Sequence, residues 1–575
     1  MKPLLLGQDG TGGKVELSVE ERQTHMHVIG SSGSGKSKFL EQMMRGDLAN
    51  HQGFCLIDPH GSLYEDVLKY CAHRVVSQEV VLMNLSEPSQ IIGFNPFKRA
   101  EDGDVSVQVA RRIGATLHAW GVRNADQTPT LERTLRLIFT TLLELGLSFH
   151  QVQHLINFDS GDIRDQLVER LTSPLIRQEW RELAALKPKD WRSEMLSAKN
   201  RLFRLLTSET LARFLNSTSG CIDLSEIIEK GKILLVNLAP SKSLSDENGR
   251  VFGSLLVNEF FEVARNRDIS SGKKLKNYYL YLDEFQTFVS LDLTAMLDQV
   301  RKYKLFTILA HQRFGQLDDD MTDAVLTNCR IKAVFGGLPV EMARMMAQEL
   351  CIGNLDPLRV KREIFQTKFW PRYTRDRVYS RSTSRGQSLG TGENSSSGLS
   401  NVSSHGMSFG APEGWFSSAA LVGTSDSAGT SINSIHGEHS NKTDFDGTAE
   451  SESDVPILLP EPFKELSSVQ YFPLEEQLHM LTTAIKEQQT RQCFIKIHNQ
   501  TARRLLVPLL RAYRTPAKAI SWYEKKVFAL QGARSQTAVD EERARSETEL
   551  LSNTRGGRKS ITASRESWSD LIGRE

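Results

Sequence analysis

The chain lacks several features that would assign it quickly. No window approaches the roughly 20 uninterrupted apolar residues of a membrane helix. The opening "MKPLLLGQDGTGGKVEL" holds too few apolar residues before its glycine-rich turn to act as a secretory signal. Net charge is nearly absent: 71 Lys and Arg against 70 Asp and Glu leave +1, which argues against a globally basic nucleic-acid binder and makes any basic surface local. The six cysteines, Cys55, Cys71, Cys221, Cys329, Cys351 and Cys493, form no CxxC pair and have no histidine at metal spacing. They read as reduced packing residues of a cytoplasmic protein. At 575 residues the chain exceeds one compact core, so two or three domain-sized units are expected.

What is present is patterned. Pro3 to Leu6 and Lys14 to Leu17 flank "GQDGTGG", which reads as a hairpin because no helix follows those glycines. Then "HMHVIG", "GFCLIDPHG", "VVLMNL", "KILLVNLAP", "NYYLYLDEF" and "LFTILAHQ" place short apolar runs between helical stretches, the pattern of a buried, mostly parallel sheet. Residues 102–219 change to helix alone, with Leu131, Leu135, Ile138, Leu142 and Leu145 at spacings of four and three. An all-α domain is therefore expected inside an α/β core, whose halves are 1–101 and 220–379. Residues 380–455, rich in Ser, Gly, Thr and Asn, bury too little to offset ordering entropy and read as a disordered linker. The "WFSSAALV" island inside it is taken as a chance cluster. An α/β extension is expected over 456–532, packed on the core. A disordered charged tail follows over 533–575, where Trp568, Leu571 and Ile572 read as a frayed end.

One motif carries the chemistry. Gly30, Gly35, Lys36 and Ser37 fit G-x-x-x-x-G-K-[ST], between the apolar "HVI" and the helical "KFLEQMMRG". Backbone N–H groups of Gly30, Ser31, Ser32, Gly33, Ser34, Gly35, Lys36, Ser37 and Lys38 would curl around phosphates at a helix N-terminus. Lys36 would reach the β- and γ-phosphates of ATP, and the Ser37 hydroxyl would ligate Mg²⁺. Two strand-end carboxylates compete for the partner role, Asp58 after "FCLI" and Asp283 after "YYLYL". Only Asp283 is followed by a second carboxylate, Glu284. Asp283 is therefore assigned to the Mg²⁺ shell and Glu284 to polarising a water, with Asp58 as a nucleotide-responsive neighbour. The chain lacks the guanine-selective "NKxD", and a water-activating glutamate does not suit a small-molecule kinase. Gln312, ending "LFTILAHQ", reads as a γ-phosphate sensor beside that constellation, although an isolated strand-end glutamine is usually a surface residue. Arg301 in "LDQVRKYKLF" is the first candidate for an arginine supplied to a neighbouring subunit's site, and Arg330 in "NCRIKAVF" the second.

Together, "HVIGSSGSGKS", "LIDPHG", "ILLVNL", "LYLDEFQTF", "VRKYKLFTILAHQ" and "LTNCRIKAVF" resemble the HerA/FtsK superfamily of DNA-pumping ATPases. Within it they are most similar to TraG/TraD-type coupling ATPases of conjugation and type IV secretion. The resemblance implies a RecA-like core, a homo-hexameric ring with ATP between subunits, and sequence-independent contacts to double-stranded DNA in a central channel. It supports the inserted all-α domain and raises Arg301 above an ordinary solvated arginine. It also implies a relaxase, secretion-system or phage-defence effector as partner, since the chain carries no nuclease, deaminase or relaxase cluster. Two departures stand out. Membrane-bound coupling proteins carry transmembrane helices ahead of the P-loop and HerA proteins a β-barrel, whereas roughly 25 residues leave room here for a hairpin. For DNA, Lys273, Lys274 and Lys276 form one basic cluster, and Trp370, Tyr373 and Tyr379 stand among arginines. Neither is assigned as a site; a solvated strand entering a linker accounts for the second.

Overall fold

The computed structural model describes residues 2–76, 78–97, 104–122, 128–216, 220–267, 275–288, 297, 299–388 and 443–549. They form two units, Met1–Arg359 with Phe472–Glu575, and Val360–Tyr471.

The first unit is built on an eleven-stranded sheet. In chain order its strands are β1 (Leu4–Asp9), β2 (Lys14–Leu17), β3 (Met26–Ile29), β4 (Phe54–Asp58), β5 (Val80–Asn84), β6 (Ile233–Asn237), β7 (Tyr278–Leu282), β8 (Leu305–His311) and β9 (Ile331–Phe335). After the second unit's β10 (Val360–Ser388) and β11 (Thr443–Tyr471) come β12 (Gln492–Ile497) and β13 (Arg503–Leu506). The spatial order is β2-β1-β13-β12-β9-β3-β8-β7-β4-β6-β5. From β9 to β5 all neighbours run parallel, and from β12 to β2 all run antiparallel. This is an α/β, RecA-like core. Every residue of β3, β4, β6, β7, β8 and β9 is buried, which is why these strands read as continuous rather than alternating apolar runs.

Two crossover helices position the site, α1 (Lys36–Ala49) and α2 (Ser62–Arg74). Between β5 and β6 the chain is helical: α3 (Val105–Ala119), α4 (Pro129–Leu145), α5 (Val152–Ile156), α6 (Gly161–Glu169), α7 (Pro174–Ala184), α8 (Pro188–Leu206) and α9 (Glu209–Leu215). Leu131, Leu135, Ile138 and Leu142 face its core, and the buried Trp180 indole donates to Thr141 Oγ1 at 2.9 Å. After α10 (Leu224–Lys230) and β6, helix α11 (Asp246–Arg265) packs this domain onto the sheet: Arg112 of α3 donates to Glu259 of α11 at 2.8 Å. No helix among the described residues is long and apolar enough to cross a membrane.

Two expectations require correction. Order does not end at 532, because a helix runs over 536–549. It docks by polar contacts: Arg213 pairs with Asp540 at 2.9 Å and His154 Nε2 lies 2.8 Å from the Glu547 carboxylate, beside the buried Val539. An apolar stripe would have announced it; polar contacts to residues more than 300 positions away leave no local pattern. The second correction concerns 360–471, divided above between core, linker and extension. Its two 29-residue strands, β10 and β11, pair antiparallel from Val360↔Tyr471 to Ser388↔Thr443 as a unit of their own. The opposed strands are separated by more than 50 residues, and Ser and Thr in the distal half mimic linker composition. Residues 389–442, including "WFSSAALV", lie outside the described residues, as do Lys273, Lys274, Trp568, Leu571 and Ile572.

Candidate nucleotide-binding site

The C-terminal ends of β3, β7, β8 and β9 converge on one edge of the sheet. The loop after β3 is threaded between two of them: the Gly30 N–H donates to His311 O at 3.4 Å and the Ser31 N–H to Gly336 O at 3.3 Å. Gly30 has to be glycine, because a Cβ there would sit 2.5 Å from the Phe335 Cβ. Gly35 adopts φ 107° and caps α1 without a side-chain hydrogen bond, so backbone amides alone form the first turn's surface. Lys36 and Ser34 are buried, Ser31 and Ser37 half-buried, and Ser32 and Gly33 form an exposed rim.

The acidic pair stands across from this loop. Asp283 follows β7 and is almost fully buried. Burial pushes its carboxyl up to about 6 despite the opposing Lys36, with Asp58 and Glu284 adding repulsion. Glu284 lies in the left-handed region at φ 46°, a conformation that costs about 1–3 kcal/mol for a residue with a Cβ and recurs at functional turns. That bend turns its carboxylate toward the loop. Oε1 accepts from Lys36 Nζ at 3.0 Å and Gln312 Nε2 at 2.8 Å, while Oε2 accepts from Gln286 Nε2 at 2.8 Å. Burial disfavours this carboxylate, but Lys36 and the amides of Gln286 and Gln312 outweigh it and hold the group below its ordinary value.

Lys36, Asp283, Glu284 and Gln312, predicted from distant motifs, thus meet in one cluster. The remaining candidates are held by other partners. Asp58 is occupied by its own turn: its oxygens accept from the N–H groups of His60 and Tyr64, both at 2.8 Å, so it fixes the "DPHG" bend and the start of α2. The Lys38 ammonium pairs with Glu41 and Asp66 rather than facing the cradle. Arg301 precedes β8 and Arg330 precedes β9, at the sheet edge opposite Lys36. Arg301 Nε donates to Gln23 O at 2.9 Å, and burial together with Arg330 holds its pKa below the usual value. The seven residues of β8 span about 23 Å, so Arg301 does not reach its own chain's P-loop.

Sequence reasoning gave no role to Gln286, although "DEFQ" contains it, nor to Arg491. The Arg491 N–H donates to Ser34 O at 2.8 Å, its Cα would lie 3.1 Å from any Gly35 Cβ, and its guanidinium is held by Val507 O. The segment after the ribbon therefore clasps the P-loop. A buried histidine pair also joins the loop's strand to the sensor strand, with His27 Nε2 and His311 Nε2 2.8 Å apart. Among the described residues no cluster of three or more His, Cys, Asp or Glu is set to hold a metal. The buried Asp283 carboxyl, with the Ser37 hydroxyl that the motif predicts as its co-ligand, would instead suit a hard cation that takes its remaining ligands from phosphate and water.

The model of "Helicase HerA, central domain" matches residues 5–260, and that of "TraM recognition site of TraD and TraG" matches residues 277–356. Together they span more than half of the chain. The two matches support a P-loop ATPase of the HerA/FtsK type, close to TraG and TraD. The first match holds the P-loop and the second holds Asp283, Glu284, Gln312 and both candidate arginines. Similar solved structures include the bacterial conjugative coupling protein TrwBdeltaN70 in an unbound monoclinic form, at 13% identity over 90% of this chain and 91% of that one, TM-score 0.47. TrwB in complex with ADP and Mg²⁺ is 12% identical over 90% and 92%, TM-score 0.49, and VirB4 of Thermoanaerobacter pseudethanolicus 14% identical over 61% and 88%, TM-score 0.40. No curated protein matches the chain.

Proposed function

We propose that this HerA/FtsK-type ATPase hydrolyses ATP as a ring-forming, DNA-stimulated translocase acting on double-stranded DNA in conjugative or mobile-element transfer. The observation that carries the reading is the junction at Glu284, where one carboxylate accepts from both Lys36 of the P-loop and Gln312 of the sensor strand. The P-loop lysine, the base and the sensor are then one hydrogen-bonded unit that nucleotide would break, as coupling hydrolysis to motion requires.

In this reading the amides of Gly30 to Lys38 cradle the phosphates and Lys36 transfers its ammonium from Glu284 to the γ-phosphate. Ser37 and Asp283 would hold Mg²⁺, which would neutralise phosphate charge. Glu284, freed of Lys36 but kept oriented by Gln286, takes a proton from the attacking water. Gln312 then loses or regains its partner with each turnover and moves β8. Arg301 serves the site of the adjacent subunit, with Arg330 as the second candidate; its position at the far sheet edge supports that assignment. The match to a TraM recognition site supports a protein partner as well, a relaxase or other component of the transfer apparatus.

The test is steady-state ATPase with and without duplex or single-stranded DNA, over a salt series, with Glu284→Gln as control. Hydrolysis is expected to rise with DNA and to lose the stimulation steeply with salt, as phosphate contacts dictate. Glu284→Gln should retain ATP binding and lose turnover. Turnover indifferent to DNA at every salt concentration removes the motor reading and leaves an ATP-gated scaffold.

A further inference from the structure

The ribbon of β10 and β11 has no role in the ATPase reading. Two strands of 29 residues would reach about 95 Å, and a two-stranded ribbon is marginal in water without a further strand or cover. Phe369, Trp370, Tyr373 and Tyr379 on β10 and Leu458, Leu459 and Leu466 on β11 are all at least half exposed.

Two regularities show which part of the ribbon is open to a further strand. The first is proline. Pro371 lies directly opposite Pro460, and a residue without an N–H cannot belong to a pair that exchanges ladder bonds. Odd positions of β10 and even positions of β11 therefore point their backbone groups outward. Pro456 and Pro462 fall in the same class, so β11 lacks three outward donors between 456 and 462, which blocks strand addition there. Beyond this block, over 443–454 of β11 and 373–388 of β10, no proline interrupts either outer edge.

The second is charge. β10 carries eight Lys and Arg against two acidic residues, while β11 carries seven Asp and Glu against one Lys. Within the ribbon these pair across the ladder, as Arg372 with Glu461 at 2.6 Å and Arg377 with Glu452 at 3.2 Å. In the proline-free half, β10 contributes Arg375, Arg377 and Arg381, and β11 contributes Glu450, Glu452 and Asp454. A β10 edge meeting another β10 edge, or β11 another β11, would oppose like charges along its length.

We propose that the distal halves of these ribbons pair edge to edge between copies of this chain, β10 of one against β11 of the next. The contact is antiparallel, as required when ribbons point the same way. It is also heterologous, so each copy presents one basic and one acidic edge and addition continues until the ring closes. The charge pattern excludes the two-fold alternative. This inference rests on copies assembling, as in the ring reading above, but requires no DNA pumping.

The test uses a double charge-swap chain: Arg375→Glu, Arg377→Glu and Arg381→Glu on β10 with Glu450→Arg, Glu452→Arg and Asp454→Arg on β11. It restores complementarity within each ribbon and between identical copies, but sets like charges at every junction with the native chain. Isotope-labelled native chain and unlabelled swapped chain are mixed, and their assemblies are weighed by native mass spectrometry. Each is expected to assemble with itself and mixed assemblies to be depleted at least tenfold from random proportions. Random mixing, or monomers only for the native chain, overturns the proposal, whereas ATPase activity in the same samples reports on the motor reading separately. A second variant, Tyr379→Pro with Thr383→Pro, removes two outward N–H groups and leaves the inner ladder intact. Association should weaken at least tenfold, and unchanged assembly by this variant also overturns the pairing.

Discussion

Acid is expected to loosen the P-loop strand from the sensor strand, because three histidines between them must stay neutral. The His25 Nε2 faces Leu297 O at 3.0 Å and its Nδ1 accepts from the Thr307 N–H at 3.0 Å, so only one tautomer satisfies both. With His311 Nδ1–H donating to Arg313 O at 3.2 Å, its Nε2 is left to accept from His27 Nε2–H at 2.8 Å. A proton on His25 Nδ1 removes the acceptor for Thr307, and one on His311 Nε2 sets two donors against each other. Burial holds His25 and His311 down at about 4 and His27 well below its ordinary value, with neighbouring positive charge opposing protonation. In the unfolded chain each titrates near 6.5. Between those limits the unfolded state binds protons that the native state does not, so the stabilisation is complete above pH 6.5 and is lost as pH falls toward 4. His25 and His311 contribute about 3 kcal/mol each at most, and three histidines titrating together give a slope of roughly 4 kcal/mol per pH unit at its steepest. Hydrogen exchange of β3 and β8 peptides between pH 7 and 5, corrected for intrinsic rates, should show protection falling with acid. His27→Gln should flatten the slope by about one proton, or ~1.4 kcal/mol per pH unit. Protection independent of pH in the native chain would falsify the neutral-layer argument.

Two further outcomes follow from single side chains. Arg301→Ala should bind a fluorescent ATP analogue normally while hydrolysis falls at least a hundredfold, and mixing it with Lys36→Ala chains should restore part of the activity if the arginine acts across subunits; normal turnover by Arg301→Ala removes that role. Arg22→Met should cost about 3–5 kcal/mol in urea denaturation, since Arg22 is buried against Asp47, with Tyr281 on the same carboxylate and its guanidinium 3.9 Å from the Tyr279 ring centre, and its loss strands the Asp47 charge inside the fold. A cost below 1 kcal/mol would show that Asp47 finds water or a proton cheaply.

The parts of this molecule that were legible in the sequence are those whose signal is local or chemically specific. The P-loop is a contiguous motif with obligatory glycines, and the parallel strands are apolar because both faces are covered. Glu284 was recognisable beside Asp283 from adjacency alone. What stayed hidden depends on partners far along the chain. Arg491 lies more than 450 residues from Ser34, and nothing near it announces a P-loop contact. The ribbon was concealed in the same way, since Pro371 becomes informative only opposite Pro460.

The Lys36–Glu284 pair also bears on how the site answers nucleotide. A phosphate approaching the P-loop meets an ammonium already compensated by a buried carboxylate, so binding exchanges one ion pair for another rather than neutralising an isolated charge. The carboxylate left behind retains Gln286 and Gln312 but loses its largest stabilising charge, and burial then raises its proton affinity. A carboxylate becomes more basic when its cation departs, so on the proposed reading the same movement that secures the phosphate prepares Glu284 for the water. Glu284→Gln removes the competition as well as the base. That variant should therefore bind ATP more tightly than the native chain, and affinity equal to or below the native value would show that Lys36 is not shared between the two.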